Sequence, residues 1–131
     1  MMRISTKTHG IIDYVAGSML TVLPEILKTG PLARMLFRSA GVGAGVYSMT
    51  TDYEMGVVKA LPMQAHLALD AASGVTMLGA AALLDDETTS TRLAMAGVGL
   101  FEIFAALTTE TEPYSKGKGH CTAERLVEYV S

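Results

Sequence analysis

His9-Gly-Ile-Ile-Asp13-Tyr-Val-Ala-Gly17 returns as His66-Leu-Ala-Leu-Asp70-Ala-Ala-Ser-Gly74, the same His-x-x-x-Asp-x-x-x-Gly stripe written twice. Positions four apart share one face of an α-helix, so each stripe is one helical face carrying an imidazole, a carboxylate and a glycine on successive turns. Two further blocks repeat. Ala40-Gly41-Val42-Gly43 returns as Ala96-Gly97-Val98-Gly99, and Thr50-Thr51-Asp52-Tyr53-Glu54 returns less faithfully as Thr108-Thr109-Glu110-Thr111-Glu112. The pattern is that of one unit of two helices duplicated in tandem, about 5–54 and about 62–112.

Four helices are expected at about 5–27, 32–50, 62–84 and 91–109. Ser5 or Thr6 caps the first; Gly30-Pro31 closes one connection and opens the second helix. Pro62 suits the first turn of the third, and Ser90, ending the polar run Asp85-Asp86-Glu87-Thr88-Thr89-Ser90, suits the cap of the fourth. No segment has the period-2 alternation of a strand, so the fold class is all-α. The helical domain fills residues 1–112. A polar tail, 113–131, follows, with a short amphipathic helix expected over 122–130.

Half of the 131 residues are apolar, yet the chain has no Trp, three Phe and five Tyr against thirteen Gly and nine Met. Large side chains normally fill a water-soluble core, whereas small residues suit helices that pack closely in lipid. The stretches 14–24, 39–51, 71–84 and 93–101 carry no charge on any face. A helix with one side in water shows charge every turn or so. Gly41-x-x-x-Gly45 adds a small-x-x-x-small pattern. A transmembrane four-helix bundle of two helical hairpins is therefore expected, with a soluble four-helix bundle as the alternative. A net charge of −3 with both signs dispersed excludes a nucleic-acid surface. Cys121 stands alone, so an intrachain disulfide is excluded. Asp13 interrupts the first apolar stretch, so a retained N-terminus is expected rather than a signal peptide.

Three motifs carry a family resemblance: His9-Gly-Ile-Ile-Asp13-Tyr14, Thr51-Asp52-Tyr53-Glu54-Met55-Gly56 and Leu61-Pro62-Met63-Gln64-Ala65-His66-Leu67-Ala68-Leu69-Asp70. Over roughly residues 3–110 the chain resembles an uncharacterised bacterial group of small four-span membrane proteins related to the SPW-repeat proteins. The resemblance implies an integral location in the bacterial inner membrane and a twofold repeat, with no activity attached. Where a Ser-Pro-Trp-like turn would end the first helix of each unit, Leu23-Pro24-Glu25 keeps the proline and Ala80-Ala81-Ala82 keeps none of it.

Helices joined by short loops run up and down, so the starts of helices one and three lie on the side where helices two and four end. His9, Asp13, His66 and Asp70 fall on that side, as do Asp52 and Glu54 at the mouth of the cluster and Glu110 and Glu112. Glu102, about two turns from the end of helix four, comes to a similar depth. Ionisable groups inside a span cost about 2.5–3.5 kcal/mol each, so they should face inward and be paired.

Three roles compete for this cluster. Each Asp holds the His of its own helix, or caps the neighbouring loop through Thr50 and Thr51, in a scaffold or accessory protein. Alternatively His9, His66, Asp13 and Asp70, with Glu102, bind a transition metal or haem. In the third, the groups relay protons or ions through an oligomer. The Glu-x-x-His spacing of di-iron bundles is absent. Arg38 reads as a snorkelling side chain and the methionines as packing. Lys116-Gly-Lys118-Gly-His120-Cys121 reads as a solvated linker. No nucleophile–base pair, phosphate loop or dinucleotide fingerprint occurs, so no enzyme is expected. The expected partners are the lipid bilayer and a second copy of the chain, with no nucleic acid. The termini side carries Arg3, Lys7, Lys59, Lys116, Lys118 and Arg125, and the other side Lys28, Arg34, Arg38 and Arg92, a balance that leans the termini to the cytoplasm.

Overall fold

A computed structural model describes residues 2–113. The expectations for the tail, including the His120-Cys121 pair and the helix over 122–130, lie outside the described residues. Four helices make up the described chain: α1 (Thr6–Leu27), α2 (Pro31–Thr50), α3 (Met63–Leu83) and α4 (Thr89–Thr108). Two isolated bridges, Ile4 with Thr109 and Thr51 with Leu61, are the extended pairings.

Local chemistry sets each boundary. Ser5 caps α1 by accepting from the Thr8 amide at 3.2 Å. At the other end Lys28 adopts a left-handed conformation (φ 53°), and the Thr29 amide reaches back to the Pro24 carbonyl at 3.1 Å. Gly30 and Pro31 open α2 as the sequence indicates. The fourth helix starts earlier than expected. Thr88, not Ser90, is its cap, accepting from the Thr91 amide at 3.2 Å, which leaves Ser90 within the first turn. Pro62 sits just outside α3 in extended conformation.

α1 packs along α2 and α3 along α4, while contacts between the two hairpins are few. Glycine makes both close crossings possible. A methyl group on Gly17 would lie 2.8 Å from the Gly41 carbonyl oxygen, and one on Gly74 would lie 2.7 Å from that of Gly99. The space beneath each His-Asp pair is thus filled by the backbone of the hairpin partner. The block match of Gly41 with Gly97 does not carry into space: Gly99 makes the contact, and Gly97 faces open space. Two residues turn a helix by about 200°, enough to move one glycine of the block off the contact face.

At the loop end, Leu20, Ala33, Phe37, Met77, Ala81 and Met95 form the larger apolar core. There the Glu87 carboxylate accepts from the Gly30 amide at 2.9 Å, tying the second hairpin loop to the N-terminus of α2. Arg38, expected to snorkel, donates to Glu25 at 2.6 Å on the surface of the first hairpin. Tyr53, Met63 and Leu67 form a smaller cluster at the opposite end.

The outside of the bundle is apolar. Val15, Met19, Val22 and Ile26 are exposed on α1, Met35, Val42 and Val46 on α2, Val75 and Leu83 on α3, and Leu93, Leu100, Phe104 and Leu107 on α4. Three helices, α1, α3 and α4, are long and apolar enough to cross a membrane. α2, with Arg34 and Arg38 in its first half, is not among them.

Candidate metal centre

Helix starts and helix ends meet where the sequence places the repeated stripes. His9 and Asp13 project from the start of α1, and His66 and Asp70 from the start of α3. Thr51 and Thr109 follow the last turns of α2 and α4 in extended conformation. Backbone bonds fix both threonines. The Asp52 amide donates to the Leu61 carbonyl at 2.8 Å, and the Ile4 amide donates to the Thr108 carbonyl at 3.0 Å. All six side chains are buried.

The two histidines and two aspartates form a closed ring. His9 Nε2 is 2.9 Å from Asp70 Oδ2 and 3.4 Å from Asp13 Oδ1. His66 Nε2 is 2.9 Å from Asp13 Oδ2 and 3.5 Å from Asp70 Oδ2. Own-helix pairing belongs to one of the three readings; in the structure each histidine's nearer carboxylate comes from the other hairpin. The stripes face one another across the seam, and the direct cross-seam approach is shorter than the reach along a single helix turn. One ligand atom from each of the four residues lies within 4.8 Å of every other.

The threonines decide which ring nitrogen faces this set. Thr51 donates its hydroxyl proton to the Tyr47 carbonyl at 2.5 Å and lies 2.8 Å from His66 Nδ1. Thr109 donates to the Ala105 carbonyl at 2.6 Å and lies 2.7 Å from His9 Nδ1. A hydroxyl has one proton, already used in each case, so it can only accept from the imidazole. Both histidines therefore carry a proton on Nδ1 and turn Nε2 toward the carboxylates. A hydrogen bond of this kind, from one ring nitrogen to a fixed oxygen, holds the tautomer and orientation of a metal-binding histidine.

Further donors hold the carboxylates. Tyr47 donates to Asp70 Oδ1 at 2.5 Å and Ser48 to Asp13 Oδ2 at 2.9 Å. His66 Nε2, although 2.9 Å from Asp13, makes no hydrogen bond of acceptable direction. The His66 ring meets Tyr47 and His9 edge-on, with centroids at 4.8 and 5.2 Å. Tyr53, in the loop after α2, covers the ring's far side at 5.7 Å, and burial raises its phenol pKa above the ordinary value.

Glu102 stands apart from the set of four. It lines a cleft whose inner end is formed by His9, Asp13 and Asp70. Glu54 accepts from Thr6 at 2.6 Å near the start of α1, and Asp52 is held in the bridge beside Thr51. Tyr47, Ser48 and the roles of Thr51 and Thr109 are additions to the sequence reading. The Thr-Thr block was a visible signal for the last two. Tyr47 and Ser48 have no counterpart in the second unit, so repetition offers no clue to them.

Two carboxylates and two Nε2 lone pairs make a buried set of charge −2, which one divalent cation or two protons would neutralise. Ligand bonds of about 2.0–2.2 Å place tetrahedral ligand atoms about 3.3–3.6 Å apart. The ring's 2.9–3.5 Å sides, which use both oxygens of Asp13, come close to that span, and one atom from each of the four residues lies within 4.8 Å of the others, so ligation draws the set inward. No family model, no curated protein and no solved structure matches this chain.

Proposed function

We propose that this chain is a small integral membrane protein whose two helical hairpins hold one divalent transition metal between His9, Asp13, His66 and Asp70. The observation that carries the reading is the pair of spent threonine hydroxyls. They commit both Nδ1 atoms to donating and leave both Nε2 atoms to the site. Two imidazoles with two carboxylates suit Zn, Fe or Mn. A haem does not fit, because the carboxylates occupy the space between two imidazoles whose centroids are 5.2 Å apart. The apolar exterior supports a membrane location for all four helices. It includes Val42 and Val46 on α2, so that Arg34 and Arg38 reach the surface beside Glu25. The family resemblance points the same way.

Elemental analysis of the untagged, membrane-extracted protein tests this reading. One metal ion per chain is expected, lost in His9→Gln and in His66→Gln. A metal-free wild type that stays metal-free after incubation with Zn, Mn and Fe(II) salts overturns it. Retention in the membrane fraction after alkaline carbonate washing is the companion result. Release would overturn the membrane part alone.

One set of contacts favours a second reading, a polar lock in a scaffold protein. His9–Asp70, His66–Asp13, Tyr47–Asp70, Thr51–His66 and Thr109–His9 all cross from one hairpin to the other. With two protons in place of the ion, the ring is itself a seam. In that reading Gln at either histidine weakens hairpin association with no metal involved.

A further inference from the structure

The hairpins part between α1 and α4, leaving a cleft of about 240 Å³. This exceeds the ~150 Å³ apolar cavity known to accept benzene. Its walls are apolar, formed by Ala16, Leu20, Val98 and Phe101, and no lysine or arginine lines it. Met19 and Phe101 at its rim are exposed, so a ligand dissolved in hydrocarbon has access. At the polar end stands Glu102, whose buried Oε2 has no hydrogen-bond partner among the described residues. Neutralising the ring by a divalent ion or by two protons leaves the Glu102 carboxylate over. An apolar slot with a carboxylate at its polar end matches a ligand with an apolar tail and a single cationic head.

We propose that the cleft between α1 and α4 binds a small lipophilic primary ammonium, its alkyl tail along Ala16, Leu20 and Val98 and its head donating to Glu102. Entry from the hydrocarbon rests on the membrane reading above; the site itself does not depend on the metal. An alkylammonium supplies three donors and one positive charge. A neutral alcohol of the same length fills the same volume but supplies neither the charge nor the charge-assisted bond.

The test uses the full chain in phosphatidylcholine nanodiscs, with 6,6,6-trifluorohexylamine and 6,6,6-trifluorohexanol as probes read by fluorine NMR. The amine is expected to bind saturably, one per chain. The alcohol, and the amine on Glu102→Gln, are expected to be weaker by about tenfold or more, the factor of one charge-assisted hydrogen bond. Gly97→Leu is a second variant that leaves the carboxylate in place. Gly97 lines the cleft and a Cβ there meets nothing within 4 Å, so a larger side chain at this position is added on the cleft and not against the hairpin partner's backbone. It too should lose amine binding while retaining wild-type helicity and melting. Equal binding of alcohol and amine, unchanged amine binding in Glu102→Gln, or no saturable binding to the folded wild type would each overturn the proposal. Failure of the metal reading shows in elemental stoichiometry; failure of this one shows in the dependence on Glu102.

Discussion

Replacing Thr51 or Thr109 by valine removes a hydroxyl and leaves the side-chain volume nearly unchanged. Its consequence follows from the ring. In Thr109→Val, His9 Nδ1–H loses an acceptor at 2.7 Å in a site that is about 1% exposed, with no room to rotate toward water. Leaving a buried donor unmade costs about 1–3 kcal/mol, and the imidazole loses what fixes its tautomer. Loss of such an outer partner lowers metal affinity by about 10–100-fold, or about 1.4–2.7 kcal/mol. Thr51→Val should behave alike through His66 at 2.8 Å, while Thr51→Ser and Thr109→Ser keep the hydroxyl and fall much less. The assay is zinc competition against a chromophoric chelator with the full chain in nanodiscs. Valine variants that bind zinc as tightly as wild type, in a protein whose His9→Gln variant does not bind, would refute the argument that Nδ1 is the held nitrogen.

Other consequences follow from the same geometry. Gly17→Ala and Gly99→Ala place a methyl 2.8 and 2.6 Å from a facing carbonyl oxygen. Each should destabilise the bundle by about 1–3 kcal/mol in detergent unfolding, with Gly97→Ala neutral or slightly stabilising. Zinc affinity should rise with pH, because Nε2 ligates only when unprotonated; a titration at several pH values should show the logarithm of affinity increasing by about one per pH unit for each proton displaced. Glu25→Gln removes a surface ion pair whose partners are about half exposed and should change stability by less than about 1 kcal/mol.

The four helices were legible because their signals are local: a capping serine, Gly30-Pro31, the polar 85–90 loop and apolar runs of helical length. So was the gathering of His9, Asp13, His66 and Asp70, since four-residue spacing and up-and-down topology act together. The partner choice within the ring was not, because it depends on the distance between two hairpins that share no sequence neighbourhood. Thr88 displaced Ser90 as a cap because both are good capping residues two positions apart, and only the path of the loop decides between them. Tyr47 and Ser48 gave no sign of their role: they lie on an otherwise apolar helix and have no repeated counterpart. The glycine register failed for a different reason. Identity aligned Gly41 with Gly97, whereas packing selects the glycine on the contact face, Gly99.

X-ray absorption at the metal edge of the untagged, zinc-reconstituted chain tests the central claim most directly. A shell of light N/O ligands at about 2.0–2.2 Å with the multiple scattering of two imidazoles is expected in the wild type, and no bound zinc, hence no such spectrum, in His9→Gln. A spectrum lacking imidazole scattering, or one unchanged by His9→Gln, would contradict it.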